Sequence, residues 1–262
     1  MRVHVALTPG EFPALALGGR VALVVDVLRA STTVVAACAA GCRQVIPVAT
    51  ADAARERAAR LGDALLAGER GGDMIPGFDL GNSPLEYTPA RVAGRRIVLT
   101  TTNGTAAMLA AAAADAAAVA ALTNMDAAVR WAVAQGRDVT VLCSGENGRL
   151  SLEDSVCAGV IVDRLAAEAA IDATDAAIVA RRVGQYYARD LARLIEDSTW
   201  ARKLTRAGRE ADLAACLAFA GAEMVPVLVD GAAVPGSPVP SAVAAGSAPA
   251  PIVGAGGPEA RR

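Results

Sequence analysis

Short apolar runs alternate with alanine-rich stretches over the first two thirds of the chain. Four runs rich in Val, Ile and Leu each precede a segment with helical spacing: VALVVDV before STTVVAACAAG, QVIPV before TADAARERAARLG, RIVLTT before TAAMLAAAA, and DVTVLCSG before SLEDSVCAGVIVDRL. Continuous apolar strands that alternate with helices indicate parallel pairing in a sheet covered on both faces. The pattern predicts an α/β fold whose ligands gather outside the carboxyl ends of the strands.

The pattern changes after residue 172. YYARDLARLIED and LTRAGREADLAACLAFA have the spacing of amphipathic helices, and EMVPVLVDG is a last apolar run. From residue 232 the chain contains mostly Ala, Pro, Gly and Ser, which bury too little surface to offset the entropy of ordering. We therefore predict an α/β phosphate- and metal-binding region at 1–172, a mainly helical part with a final strand at 173–231 packed on the same core, and a disordered tail at 232–262.

Composition narrows the classes of function. A formal charge of −2 and 3% aromatic residues argue against nucleic acid as a partner. No long apolar window and no secretory signal is visible, so we expect no membrane contact and a cytoplasmic location. Five cysteines without a CxxC pair argue against disulfides and a zinc ribbon. His4 is the single histidine, which argues against histidine-based catalysis.

The first polar strand end is VVDVLRASTTVV. Asp26 follows the strand directly, Arg29 comes three residues later, and the next helix begins with Ser31, Thr32 and Thr33. Such a carboxylate can hold a divalent cation while an arginine pairs with phosphoryl oxygens. The alternative is a structural Asp–Arg pair beside an ordinary N-cap.

Two further strand ends carry polar turns. GERGGDMIPGFDLGNSPLEY is a long loop with Glu69, Arg70 and Asp79, and its apolar residues indicate that it packs as a binding loop. The turn at 100–105, TTTNGT, precedes an alanine-rich helix. A helix N-terminus of this kind can cradle phosphate, although Thr and Asn are also ordinary capping residues.

The fourth strand end, VLCSGENGRLSLEDSVCAG, has two interpretations. Cys143 and Arg149 have the C-x5-R spacing of cysteine-dependent phosphatases. However, Cys143 also completes the apolar run VTVLC, which is typical of a buried thiol. Asp154 follows Ser151 in the S-x-x-[DE] capping pattern, so it is either a metal ligand or a cap partner.

Read together and in order, DVLRASTTVVAA, GERGGDMIPGFDLGNSPLEYT, IVLTTTNGTAA and CSGENGRLSLEDSVCAG closely resemble the 2-phosphosulfolactate phosphatase family. The resemblance implies a Mg²⁺-dependent acid phosphatase that converts 2-phosphosulfolactate to 3-sulfolactate and phosphate, a step in coenzyme M biosynthesis. It also implies mixed sheets. The expected fold class is therefore α/β, layered, with mixed and largely parallel sheets flanked by helices and a mainly helical C-terminal part.

The residues that match the family's motifs form the expected site. The expected catalytic groups are Asp26, Arg29, Glu69, Arg149 and Asp154. Three of these are expected to bind Mg²⁺ or transfer protons, namely Asp26, Glu69 and Asp154. Expected substrate-binding residues are Ser31, Thr32, Arg70, Asn82, Ser83, Thr101, Thr102, Asn103, Gly104, Thr105 and Glu146. Further matching positions are Thr33, Asp79 and Glu153.

Two departures from the family's pattern leave the substrate open. STWARKL carries Trp200 where we expect a small residue, and an acidic residue expected near Ala220 is missing. The partner is expected to be a small phosphate ester, and a homodimer is left open. The alternatives to the magnesium-dependent reaction are a metal-independent cysteine phosphatase that uses Cys143 and Arg149, or a non-catalytic protein that binds phosphorylated or sulfonated hydroxy acids.

Overall fold

A computed structural model describes residues 1–219 and 221–236 of the chain. Its strands are β1 Arg2–Ala6, β2 Val21–Val25, β3 Gln44–Pro47, β4 Leu65–Arg70, β5 Asp73–Met74, β6 Arg96–Thr100, β7 Ala116–Ala120, β8 Val139–Cys143, β9 Asp172–Ala173, β10 Val225–Val229 and β11 Ala232–Gly236. Its helices are α1 Ala30–Ala39, α2 Ala51–Leu61, α3 Pro89–Val92, α4 Gly104–Ala111, α5 Met125–Ala134, α6 Leu152–Glu168, α7 Asp175–Tyr187, α8 Leu191–Asp197, α9 Thr199–Arg206 and α10 Glu210–Cys216.

The described strands form one sheet in the order β5-β4-β6-β3-β11-β10-β7-β2-β8-β1-β9. Strands β4, β6 and β3 form one parallel block, and β7, β2, β8, β1 and β9 form a second. The antiparallel hairpin β10–β11 joins the two blocks, pairing antiparallel with β7 on one side and β3 on the other. The predicted α/β class, with a mixed and largely parallel sheet, is confirmed.

The hairpin corrects the start of the predicted tail. Residues Ala232–Gly236 form β11, and Ala233 is fully buried in the sheet beside Val45. Small side chains are suited to this position because the strand lies between other strands, where backbone hydrogen bonds rather than bulky side chains hold it. Residues 237–262 lie outside the described part of the chain, as does Ala220.

The predicted helical part packs on the largest of three hydrophobic core clusters among the described residues. Leu194, Leu204 and Leu213, from α8, α9 and α10, belong to the same buried cluster as Leu23 of β2. This packing brings the segment from α9 to α10 against the strand ends of the α/β region. Within the described residues, no helix is long and apolar enough to cross a membrane.

Candidate active site

Three buried carboxylates, together with the half-buried Glu146, line a narrow cleft where strands β2 and β8 end. Asp26 follows β2 directly, whereas Glu153 and Asp154 lie in the first turn of α6, and all three side chains are buried. The cleft between them has a volume of about 10 Å³, and its walls include Asn103 and Trp200. That volume is room for one water molecule or ion in the absence of a ligand.

Burial and mutual repulsion disfavour the charged forms of these acids. Burial, together with the nearby charges of Glu69 and Glu153, raises the pKa of Asp26 to about 7. Burial also raises the pKa of Glu153 and of Asp154, and the charge of Asp26 adds to the effect on Asp154. A bound cation would stabilise the ionised forms of such a cluster.

Asp154 joins the turns after two strands. Its Oδ1 accepts the backbone N–H of Val27 at 2.8 Å, and its Oδ2 accepts that of Gly145 at 3.0 Å. Its own N–H donates to Ser151 Oγ at 3.3 Å, which caps α6. The capping interpretation holds for the backbone of Asp154, whereas its carboxylate positions the turns that follow β2 and β8.

Glu69 has the same role at the other parallel block. Its Oε2 accepts the N–H of Gly72 at 2.7 Å, and its Oε1 accepts the N–H of Thr102 at 2.7 Å. Each carboxylate oxygen of Glu69 and of Asp154 thus accepts a backbone N–H. These hydrogen bonds occupy one lone pair on each oxygen and favour a positioning role for both acids.

The threonine turn combines capping with an open helix start. Thr105 N–H donates to Thr101 Oγ1 at 3.1 Å, and Thr105 Oγ1 donates to the carbonyl of Thr101 at 3.2 Å. Asn103 Oδ1 accepts the N–H of Asn147 at 3.2 Å. Among the described residues, the backbone N–H groups of Asn103 and Gly104 have no hydrogen-bond acceptor.

Gly104 brings this turn against Asp26. A Cβ built on Gly104 would lie 2.5 Å from Asp26 Oδ2 and 2.5 Å from the Cβ of Ala30. Asp26 Oδ1 accepts the N–H of Ala30 at 3.0 Å, which fixes the carboxylate in this orientation. Only glycine allows the helix start of α4 and the carboxylate to approach so closely. This approach brings together the turns after β2 and β6, which the sequence analysis treated as separate polar clusters.

Arg29 forms a buried ion pair instead of lining the cleft. Its Nη1 lies 2.5 Å from Asp212 Oδ2, and its Nη2 donates to the carbonyl of Gly72 at 2.7 Å. Ser83 Oγ donates to Asp212 Oδ1 at 2.5 Å. The structural Asp–Arg pair considered from the sequence is therefore present, but its acid is Asp212 rather than Asp26.

Of the remaining predicted residues, one lines the cleft and the others hold the loops around it. Glu146 lines the cleft. Ser31 Oγ accepts the N–H of Asp26, and Thr32 Oγ1 donates to the carbonyl of Val27, so both hold the turn after β2. Further residues that support loops are Thr33, which donates to the carbonyl of Asn82, and Asp79, which accepts from the N–H of Leu66.

The other two predicted arginines also lie away from the cleft lining. Arg70 is exposed and donates to the carbonyl of Glu69 and to Thr100 Oγ1. Arg149 is exposed and lies in a turn in which its backbone N–H and carbonyl pair with those of Glu146. Within the described residues, the cleft walls contain no arginine.

Cys143 does not have the environment of a nucleophile. The residue is fully buried at the end of β8, and burial, followed by the charge of Asp154, raises the pKa of its thiol. A nucleophilic cysteine needs an exposed thiolate, which a cationic environment stabilises. The geometry favours the interpretation of Cys143 as a buried apolar residue.

Asp212 was missed by the sequence interpretation, and Glu153 was given no role. Glu153 Oε2 accepts the hydroxyl of Ser198, the N-cap of α9, at 2.8 Å. Asp212 is buried on the same face of α10 as Leu213 and Cys216. An acid on the apolar face of an amphipathic helix is a signal that could have identified Asp212.

Comparison with known proteins gives a consistent result. The family model described as 2-phosphosulpholactate phosphatase matches residues 6–231. A protein of Symbiobacterium thermophilum named probable 2-phosphosulfolactate phosphatase is 42% identical over 222 residues, which cover 84% of this chain and 95% of that protein. Relatives with the same name are 40% identical in Deinococcus radiodurans, over 90% of this chain and 96% of the relative, and 38% identical in Thermotoga maritima, over 81% and 90%.

Proposed function

Because this chain belongs to the 2-phosphosulfolactate phosphatase family, we propose that it hydrolyses 2-phosphosulfolactate to 3-sulfolactate and phosphate with the help of Mg²⁺. The observation that carries the proposal is the contact between the Asp26 carboxylate and the open helix start at Gly104. This contact places the Asp26 carboxylate, which can bind a cation, beside backbone N–H groups that can bind phosphoryl oxygens.

The donor set of the cleft fits Mg²⁺ through two carboxylates. Mg²⁺ in phosphoryl-transfer sites is commonly held by one or two carboxylates, with phosphate oxygens and water completing the coordination. The described residues contain no group of three metal-binding side chains. Asp26 and Glu153 would hold the ion, because the carboxylate oxygens of Glu69 and Asp154 accept backbone N–H groups. Once bound, Mg²⁺ would polarise a phosphoryl oxygen and lower the pKa of its water.

The chain's own residues bind and orient the ester. The N–H groups of Asn103 and Gly104 donate to the phosphoryl oxygens, where negative charge builds up in the transition state. Glu69 fixes the turn that carries these donors by accepting the N–H of Thr102, and Asp154 fixes the turns that follow β2 and β8. A water oxygen forms a bond to phosphorus, the bond between phosphorus and the ester oxygen breaks, and a proton from the water reaches the leaving alkoxide. Leu28 and Trp200 cover the cleft and limit the access of bulk water.

The proposal includes a setting that rests on the sequence. We place the reaction in the cytoplasm and in a coenzyme M type of pathway, supported by the resemblance of the motifs to those of the family. The substrate is a small anion, consistent with a narrow cleft rather than an extended surface.

Phosphate release from 2-phosphosulfolactate and 2-phospholactate, each measured with Mg²⁺ and with EDTA, tests the proposal. We expect release from 2-phosphosulfolactate with Mg²⁺ and its loss in EDTA. Asp26→Asn should lower kcat by at least about 100-fold without unfolding the chain, because Asn can still accept the N–H of Ala30. Glu56→Gln, on the exposed face of α2, is the matched control. Full activity in EDTA, or in Asp26→Asn, would contradict the proposal.

A further inference from the structure

Trp200 forms one wall of the cleft. It lies in α9, and its indole packs against the loop after β4, where a Cβ on Gly72 would lie 3.8 Å from the ring. The same indole lines the cleft with Asp26 and Asp154. A large aromatic side chain therefore forms part of the cleft wall beside these carboxylates.

The indole N–H is buried and unpaired. Among the described residues, Trp200 Nε1 has no hydrogen-bond partner, although this atom has almost no exposed surface. A buried donor without an acceptor is destabilising. Indole N–H can only donate, so its missing partner is an acceptor. A ligand in the cleft that carries an anionic oxygen satisfies this requirement.

Contacts around Trp200 hold the indole at a fixed place relative to the carboxylates. Ser198 caps α9 by accepting the N–H of Ala201 at 3.0 Å, and its hydroxyl donates to Glu153. Arg209, just after α9, pairs with Asp73 at 2.8 Å. The start of α9 is thus attached to the acid cluster, and the segment after it is attached to the loop that the indole contacts.

A cation lies next to this wall. Lys203, the single lysine of the chain, places its Nζ 4.0 Å from the centre of the Trp200 ring. An ammonium at this distance polarises the indole and adds positive potential beside the N–H donor. Lys203 is exposed and does not line the cleft, so the group that Trp200 itself can offer to an anion in the cleft is its neutral N–H donor.

We infer that Trp200 Nε1 donates a hydrogen bond to the sulfonate of the substrate and makes Trp200 a specificity-determining residue. The inference rests on the proposed function. With the phosphate at the helix start of α4, the sulfonate, which is one carbon further from the ester oxygen than the carboxylate, would reach the part of the cleft wall that Trp200 forms. A sulfonate is always ionised at neutral pH and has only acceptor oxygens, which match a donor that cannot accept.

Trp200→Phe tests the inference because it removes the N–H and keeps an aromatic ring. The readout is the ratio of kcat/KM for 2-phosphosulfolactate to kcat/KM for 2-phospholactate, which lacks the sulfonate. We expect this ratio to fall at least about tenfold, mainly through a higher KM for the sulfonated ester, since a hydrogen bond to a charged group is removed. Trp131→Phe, the same change in the core helix α5, is the matched control and should leave the ratio unchanged. An unchanged ratio in Trp200→Phe overturns the inference, and so does an equal loss for both esters.

A binding measurement separates this inference from the proposed function. In Trp131→Phe, Trp200 is the only tryptophan, so its fluorescence can be followed while 3-sulfolactate or lactate is added. We expect a saturable change with 3-sulfolactate and none at equal concentrations of lactate. If this occurs in a protein that releases no phosphate, the sulfonate site stands and the proposed reaction falls. No response to 3-sulfolactate in an active enzyme overturns the sulfonate site alone.

Discussion

The buried pair between Arg29 and Asp212 gives a sharp prediction for Asp212→Asn. The two side chains are 2% and 7% exposed, and Asp212 also accepts the hydroxyl of Ser83. The amide of Asn can still accept from Ser83, but it removes the charge opposite Arg29. The guanidinium then keeps the Gly72 carbonyl as its only acceptor among the described residues.

Removing one partner of a buried pair costs about 3–5 kcal/mol, because an uncompensated charge stays buried. In a protein of this size, the expected fall in Tm is about 6–20 °C. Urea unfolding of the wild type and of Asp212→Asn, monitored by circular dichroism, measures the difference. The matched control is Glu56→Gln, whose partner Arg60 is 70% exposed, and its cost should be below about 1 kcal/mol.

A double variant distinguishes the pair from its surroundings. Arg29→Met combined with Asp212→Leu removes both charges, and we expect it to be less destabilised than the sum of the two single changes. An Asp212→Asn protein that unfolds within 1 kcal/mol of the wild type would refute the reasoning. It would mean that Arg29 is solvated, and therefore available to bind the substrate's phosphate.

Three further predictions concern the cleft. Gly104→Ala should lower kcat at least about tenfold, because its Cβ would lie 2.5 Å from Asp26 Oδ2. The control Gly18→Ala, whose Cβ would meet nothing within 4 Å, should have the kcat of the wild type. Equal kcat values for Gly104→Ala and the wild type would show that the close contact is dispensable. Cys143→Ser should keep kcat within about threefold and the wild type should resist thiol alkylation, because Cys143 is fully buried; loss of turnover with an intact fold would restore the cysteine phosphatase. Burial raises the pKa of Asp26 to about 7. In EDTA, Asp26 of the folded chain therefore keeps a proton that the unfolded chain releases near pH 4. The stability that this bound proton contributes to the folded state is lost as the pH rises through 7. Urea unfolding in EDTA should show at least about 2 kcal/mol less stability at pH 8 than at pH 5.5, and Asp26→Asn should reduce the difference, while Glu153 and Asp154, whose pKa values are also raised, keep part of it; a flat profile in the wild type would contradict the raised pKa.

The sequence alone was enough to predict the family and the fold class. Apolar strands followed by helices predicted the α/β class, and the four polar strand ends in order identified the family, both of which are confirmed. The prediction of an enzyme of the phosphoric monoester hydrolase class is confirmed with them. Local patterns suffice here because the strand period and the turn chemistry are properties of neighbouring residues.

The sequence did not determine how the polar groups pair, because those contacts join distant parts of the chain. Asp212 is 183 residues from Arg29, and Trp200 reaches the cleft only after α9 packs beside α6. The strand ends that build the site belong to two parallel blocks, which a hairpin from the C-terminal region joins into one sheet. The sequence analysis assigned Ala232–Gly236 to the tail because small side chains give no local signal for a strand. The position of this segment between β3 and β10 is decided by backbone pairing with residues far away in the chain.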